Sequence, residues 1–235
     1  MAVYTAVKHL TTKAIVLGRI NYGESDRIIT VITPEHGKLR LMAKGSRALK
    51  SKLAGGIELF CVSDIGFIFG RGGIATLTSS RLEQNFSRIL SDISRVQLGY
   101  ELLKIINSST EDQAEEEYFI LLRSALGGLN DLDLPLELHR LWFNSRLLFI
   151  SGHMPNLTTD NQNQVISKES RFNFDMDKMC FLAQPDGQFS PDHIKFWRIV
   201  FVADNPKLTA RINGGEQLAR DLLPLSALLL GNSRL

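Results

Sequence analysis

Cysteine and long apolar runs are both scarce in this sequence of 235 residues. The two cysteines, Cys61 and Cys180, exclude a disulfide scaffold and a four-cysteine zinc site, and they suit a reducing cytosol. The longest apolar stretch, residues 222–230, is interrupted by Pro224 and Ser226, whereas a membrane-spanning helix needs about 20 apolar residues. No basic segment followed by an apolar one opens the chain, so no signal peptide is indicated. The sequence therefore predicts a cytoplasmic protein that does not enter a membrane.

Motifs of nucleotide binding and of hydrolysis are also missing. Residues 45–51 resemble a phosphate-binding P-loop, but Lys50 stands where that motif requires its second glycine. Residues 70–73 are rich in glycine, yet they lack the G-x-G-x-x-G spacing of a dinucleotide-binding loop. The five histidines include no pair four residues apart and no recognisable nucleophile–base pattern. The sequence therefore favours a protein that is not an enzyme and that uses no cofactor and no metal.

Charge is distributed unevenly, although the formal net charge is only +2. Residues 1–80 carry 11 Lys and Arg against 5 Asp and Glu, a net charge of +6. Residues 81–235 carry 16 against 20, a net charge of −4. Such asymmetry indicates two domains, one of which contacts a polyanion. The alternative is that a small domain carries excess charge only for solubility.

The hydrophobic period is close to two before residue 80. Five short runs rich in β-branched residues are separated by turn signals. These runs cover residues 14–17, 28–32, 39–43, 57–62 together with 65–69, and 74–78. The pattern predicts a five-stranded OB-type β-barrel in residues 1–80, although an SH3-like barrel would show a similar pattern.

After residue 80 the period changes to about 3.6, which predicts an all-helical domain in residues 81–235 and hence an α+β protein. A long amphipathic helix is expected from Leu82 to Ile106. Further helices are expected at residues 113–127, 133–152, 190–201 and 215–230. Residues 155–189 are polar and are expected to be irregular.

The most informative stretch is residues 36–57, which contain six cations and no acidic residue. Strand alternation places Leu39, Leu41 and Ala43 on one face. The cations are Lys38, Arg40 and Lys44 on the other face of that strand, then Arg47, Lys50 and Lys52 in the loop that follows. Several cations beside small residues suit a polyphosphate backbone. The alternative is a solvated strand face followed by an ordinary polar loop.

Single-strand binders often add aromatic side chains on which bases stack. Tyr22, beside Asn21 and Gly23, is the aromatic residue in an obvious loop and is a candidate platform. Phe60, Phe67 and Phe69 lie in apolar runs and are expected in the core.

Four short motifs follow one another between residues 22 and 55. They are YGESDRI at 22–28, HGKLR at 36–40, AKGSR at 43–47 and SKLAG at 51–55. In order and spacing they resemble the RecO family of bacterial recombination mediators. In the second half of the chain RLL at 146–148, GHMPNL at 152–157 and FSP at 189–191 are also similar to the family.

The resemblance implies an N-terminal OB domain, a C-terminal helical domain, binding of single- and double-stranded DNA, and annealing of complementary strands. It also implies help in loading the RecA recombinase, with RecR and the single-strand-binding protein SSB as partners. Carried over onto matching positions, the DNA-facing cations are Arg27, Lys38, Arg40, Lys44 and Arg47. A rival interpretation from another class is an OB-fold adaptor that binds an acidic protein partner.

One departure from the family bears on metal binding. Many relatives place a four-cysteine zinc module after the motif G-x-x-P-x-L. Here Thr158, Thr159 and Asp160 follow Leu157, and Cys180 is the one cysteine in the region. We therefore expect the helical domain to lack the zinc module.

Overall fold

A computed structural model describes residues 9–69, 74–111, 115–166 and 171–233 of the chain. The chain divides into two compact units, Met1–Asn130 and Asp131–Leu235. The first unit contains a β-barrel with two helices, and the second contains three helices with a small sheet. The predicted α+β class is therefore confirmed. The predicted turn at residues 70–73 lies outside the described residues.

The barrel has five strands, β1 (His9–Tyr22), β2 (Asp26–Thr33), β3 (Gly37–Ala43), β4 (Cys61–Ile68) and β5 (Ala75–Asn85). It closes in the order β1-β2-β3-β5-β4, with β1 paired to β4. All neighbours are antiparallel except β3 and β5, which run parallel. This order is that of an OB-type barrel, which confirms the predicted fold over the SH3-like alternative.

The barrel interior is filled by alternate residues of every strand. In β3 Leu41 and Ala43 are fully buried and Leu39 packs against the same core, as the predicted alternation requires. They meet Ile29 and Val31 of β2, which are also fully buried. Full burial of such a side chain contributes about 1.5–3 kcal/mol, so the inward face of β3 is fixed by packing. The other face of β3 is therefore left for polar contacts.

Strand β5 is longer than the sequence predicts. It continues to Asn85, and Leu82 pairs with Ser63 of β4 instead of starting a helix. Helix α1 (Ile93–Ser109) begins eleven residues later than predicted, and its N-cap is Asp92. The Asp92 carboxylate accepts hydrogen bonds from the N–H groups of Ser94 and Arg95, at 2.8 and 3.0 Å. The predicted start was wrong because pairing with β4 outweighed an apolar spacing that also fits a helix.

The first unit ends with helix α2 (Glu116–Leu129), whose first turn carries Glu116 and Glu117 as the sequence predicts. Both helices belong to the same compact unit as the barrel. That residues 1–80 form a domain of their own stays a prediction. The predicted first residues of α2, at 113 and 114, lie outside the described part of the chain.

The second unit is built on three helices that match the predicted ones closely. They are α3 (Leu136–Ile150), α4 (Pro191–Val202) and α5 (Gly215–Asn232). Two buried tryptophans donate hydrogen bonds from their indole N–H groups, each at 2.8 Å. Trp142 donates to the Ala203 carbonyl, and Trp197 donates to the Ser145 hydroxyl. These bonds allow large aromatic side chains to fill the core without an unpaired donor.

Residues 155–189 are not irregular throughout, and the expectation of an all-helical second half was wrong in this segment. Three strands lie there, β6 (Asn156–Asp160), β7 (Phe172–Asp175) and β8 (Cys180–Ala183). They form a sheet in the order β6-β8-β7. Phe181 of β8 contacts Phe174, Phe189 and Trp197 with edge-to-face rings. Packing against this aromatic cluster thus orders the three strands. Because each strand has only four or five residues, its sequence is too short to show the alternation of apolar and polar residues that predicts a strand.

Among the helices that the structure describes, none combines the length and the apolar character that crossing a bilayer requires.

Candidate nucleic-acid interface

Lys38 is half-buried, and its ammonium group is bound within the first unit. It lies on the outer face of β3, as predicted, but its Nζ donates hydrogen bonds to the carbonyls of Asn107 and Thr110. The distance from Nζ to the Asn107 oxygen is 3.0 Å. These carbonyls lie at the C-terminal end of α1, where a cation also interacts favourably with the helix dipole. The geometry therefore gives Lys38 a structural contact that competes with DNA.

Replacing Lys38 by methionine should lower the free energy of unfolding by about 1 kcal/mol, because the last carbonyls of α1 lose a charged donor. The salt dependence of DNA binding should stay close to that of the unchanged protein. Urea unfolding measures the first effect, and fluorescence anisotropy with labelled DNA measures the second. The matched variant is Arg40→Met, since Arg40 is the exposed cation two residues along the same face. Equal stability of the Lys38 and Arg40 variants would contradict the structural role of Lys38.

The loop after β3 presents four cations to solvent. Lys44, Arg47, Lys50 and Lys52 are all exposed. The loop is tied to the β1–β2 turn and to the start of β2: the Gly45 N–H donates to the carboxylate of Asp26, the first residue of β2, at 2.7 Å. The Arg47 N–H also donates to the Ser25 carbonyl at 2.9 Å. The motifs YGESDRI and AKGSR thus meet in space.

Two glycines allow this junction of turn and loop. Gly23 and Gly45 have φ angles of +57° and +63°, in the left-handed region that favours glycine. The guanidinium of Arg47 donates a further hydrogen bond, at 3.3 Å, to the carbonyl of Gly23. The loop backbone is therefore held by the barrel end, and the cations extend from a fixed base.

Arg27 lies at the same end of the barrel but differs in orientation from Arg40. It has the strand parity of the buried Ile29, pairs with Ala43 of β3, and donates a hydrogen bond from Nε to the Asn21 side chain at 3.3 Å. Arg40 pairs with Thr30 near the middle of β3. The structure thus brings Arg27 close to the loop cations, whereas Lys38 lies toward the opposite end of its strand.

Three other cations of the barrel are neutralised by acidic partners. Lys13 bonds to Asp64 and Glu83, Arg19 bonds to Glu58, and Arg81 bonds to Asp64. The hydrogen bond to Glu83 raises the pKa of Lys13 above its usual value.

The loop cations differ in this respect. Within the described residues, none of the four loop cations forms an ion pair with a carboxylate. The adjoining turn carries Glu24, and Asp26, the first residue of β2, is bound to the loop backbone. The loop therefore keeps an uncompensated positive charge.

Tyr22 ends β1 beside the turn, and its side chain is 55% exposed, so it is placed to meet a ligand at this end. Ile20 is also exposed on β1, a feature that strand alternation alone does not reveal. Phe60 and Phe67 are buried as predicted, but Phe69 is exposed, so its assignment to the core was wrong.

A serine–histidine–aspartate contact that the sequence did not indicate occurs at the start of α4. The Ser190 hydroxyl lies 2.8 Å from His193 Nδ1, and His193 Nε2 lies 3.1 Å from the Asp221 carboxylate. The Ser190 backbone N–H also donates to His193 Nδ1 at 3.1 Å, which makes the pair a capping box for α4. The arrangement is explained by capping and by linking α4 to α5.

In the described part of the chain, no group of three or more His, Cys, Asp or Glu side chains is placed to hold a metal ion. Both cysteines are buried, and burial raises the pKa of each thiol. Their low thiolate fraction makes them poor nucleophiles and poor ligands.

Comparison with known proteins adds an independent result. Residues 7–86 match the family model of the recombination protein O N terminal. DNA repair protein RecO of Dehalococcoides mccartyi is 35% identical over 147 residues, which are 62% of this chain and 57% of that protein. DNA repair protein RecO of Desulfatibacillum aliphaticivorans is 34% identical over 151 residues, and these cover 63% of this chain and 58% of that protein.

A third relative, DNA repair protein RecO of a Roseiflexus species, is 35% identical over 150 residues, with coverage of 62% and 51%. The chain thus spans little more than half of the length of the curated relatives that it matches. The matched model covers the whole barrel, including the loop and turn described above. Residues 7–86 are thus similar to the RecO N-terminal family, which confirms the resemblance predicted from the sequence.

Proposed function

We propose that this protein is a non-catalytic mediator of DNA repair and recombination that binds DNA with the basic end of its barrel. The observation that carries the proposal is the set of four exposed loop cations without carboxylate partners, in a barrel where Lys13, Arg19 and Arg81 are paired with carboxylates. Arg27 adds a cation beside the loop at the barrel end, Arg40 adds one on the outer face of β3, and Tyr22 borders the loop. The names of the matched relatives support the same role.

The proposed contacts are with phosphates. A bound cation displaces the counterions condensed on DNA, so each contact contributes favourably at low salt and progressively less as salt rises. Phosphate contacts carry no sequence information, so binding should be independent of base sequence. This fits a protein that acts on whichever strands damage or replication exposes.

The finer activity that we propose is annealing of complementary single strands. Two strands repel each other through their phosphates, and a basic surface that neutralises several phosphates lowers this barrier. The loop carries four cations but no aromatic side chain, so it can hold backbones while base edges remain free to pair. No nucleotide is needed for this mechanism.

We further propose the partners that the resemblance implies, namely RecR-like and SSB-like proteins, together with assistance in loading the recombinase. This part rests on the family resemblance and on the matched relatives. The second unit, with its helices α3, α4 and α5, offers a rigid platform for such contacts.

Titration of labelled single-stranded DNA at two salt concentrations tests the proposed function. With about four phosphate contacts, affinity should fall roughly 50-fold between about 50 and 200 mM salt. Affinity should also rise with oligonucleotide length until the binding site is filled. The rival adaptor, which binds an acidic peptide, predicts that a poly-aspartate peptide competes as well as DNA does. Equal competition by the peptide, or an affinity for DNA that does not change with salt concentration, would overturn the proposal.

A further inference from the structure

Leu49 lies at the tip of the basic loop with its side chain fully in solvent. Its relative exposure is 107%, the highest value among the large apolar side chains that the structure describes. Ala48 and Lys50, on either side, are also exposed. A leucine normally contributes to stability by burial, and here it contributes nothing of this kind. Its exposure is therefore a cost to the free protein that a bound ligand can remove.

The backbone around Leu49 is ordered by consecutive turns. The Ala48 N–H donates to the Gly45 carbonyl at 3.1 Å, and the Ser51 N–H donates to the Ala48 carbonyl at 3.0 Å. Leu49 is thus the second residue of a hydrogen-bonded four-residue turn, whose base is fixed to the barrel through Gly45 and Arg47. The side chain is held outward from a fixed loop.

The charges around Leu49 identify the ligand chemistry. Arg47 and Lys50 are exposed cations within two residues of Leu49, and Lys52 follows on the same loop. A ligand that satisfies this arrangement needs anionic groups spaced around an apolar surface. A DNA strand has this composition, because its phosphates alternate with bases whose flat faces are apolar. Proteins that bend or open DNA insert Leu, Ile, Met or Phe between bases in the same manner.

We infer that Leu49 inserts between two neighbouring bases of a DNA strand whose phosphates are bound by Arg47 and Lys50. This inference rests on the proposed function and adds a second mode of contact to it. Insertion separates stacked bases without reading their identity, since every base has an apolar face. In a protein that anneals strands, an unstacked step is a site where pairing with the complementary strand begins.

The inference is tested with a short oligoadenylate in which 2-aminopurine replaces several adenines, so that insertion at any register falls beside a probe. The fluorescence of 2-aminopurine is quenched by stacking. The unchanged protein should raise the fluorescence on binding, and Leu49→Ser should bind without that rise. The affinity of Leu49→Ser should fall about fivefold at every salt concentration, because burial of an apolar side chain does not depend on counterions. Its salt slope should be unchanged.

The control is Leu90→Ser, which removes another exposed leucine of the first unit, at 66% exposure, far along the chain from the loop. It should behave like the unchanged protein in both measurements. If the protein binds with a steep salt slope but the fluorescence does not rise, or rises equally with Leu49→Ser, insertion is wrong and phosphate binding stands. If no salt-dependent binding occurs, both the proposed function and the inference fail.

Discussion

Simultaneous replacement of the four loop cations by alanine should weaken the binding of single-stranded DNA on the order of a hundredfold at about 0.15 M salt. The replaced residues are Lys44, Arg47, Lys50 and Lys52. Each phosphate contact contributes about 0.7 to the slope of log K against log salt, so the slope should flatten by roughly 3. The four side chains are exposed and unpaired with carboxylates in the described structure. Arg47→Ala removes one hydrogen bond to the Gly23 carbonyl, but the backbone bonds of Gly45 and Arg47 that hold the loop remain, so the fold should be little affected. Anisotropy titrations at four or more salt concentrations measure the slope.

The control for this variant removes the same charge from elsewhere. Lys178, Lys195, Lys207 and Arg220 are exposed cations of the second unit. Their joint replacement by alanine changes the net charge equally, and it should change the slope little. If both quadruple variants flatten the slope to the same degree, the protein binds DNA through its overall charge, and the basic loop is not the interface.

Acceleration of strand annealing is the second large effect that we expect. The unchanged protein should speed the pairing of complementary oligonucleotides by at least about tenfold at low salt, and the acceleration should disappear as salt rises. Arg27→Ala and Arg47→Ala should each slow annealing of any sequence, because backbone contacts carry no base information. Tyr22→Ala should have the smaller effect. Fluorescence quenching between strands labelled with a donor and an acceptor follows the reaction.

A passive coat behaves in the opposite way, since stacking platforms that cover base faces prevent pairing. If the protein slows annealing at every salt concentration while it binds each strand tightly, it therefore acts as a coat and not as a mediator. A requirement for added nucleotide would also contradict the electrostatic mechanism, because neutralisation of phosphate repulsion needs no hydrolysis.

Strand alternation and turn chemistry made the barrel predictable from the sequence. In β3 the period of two separates Leu41 and Ala43 from Lys38 and Arg40, and burial in the structure follows this division. The glycines at 23 and 45 mark turns, and both have positive φ. These are local rules, and a local pattern suffices where packing and sequence agree.

The partners of Lys38 could not be predicted because they lie about 70 residues further along the chain. Alternation assigns a side chain to a face of the strand, but it does not say what else covers that face. The exposure of Leu49 could not be predicted for the same reason. The residues next to Leu49 in the sequence do not show whether its side chain points into solvent or packs on the core. The small sheet of the second unit was missed for a related reason: β7 and β8 have four residues each, and long-range packing of Phe181 orders them.

The bond between Lys38 and the end of α1 has a consequence for how the chain is divided. The segment that matches the family model ends at residue 86, before α1 begins at Ile93. A fragment cut at that boundary would lack the carbonyls of Asn107 and Thr110, and the ammonium of Lys38 would be released into water. Such a fragment would display a cation that the intact unit keeps occupied. Charge counted over a matched segment therefore overstates the charge that the folded chain offers to a polyanion.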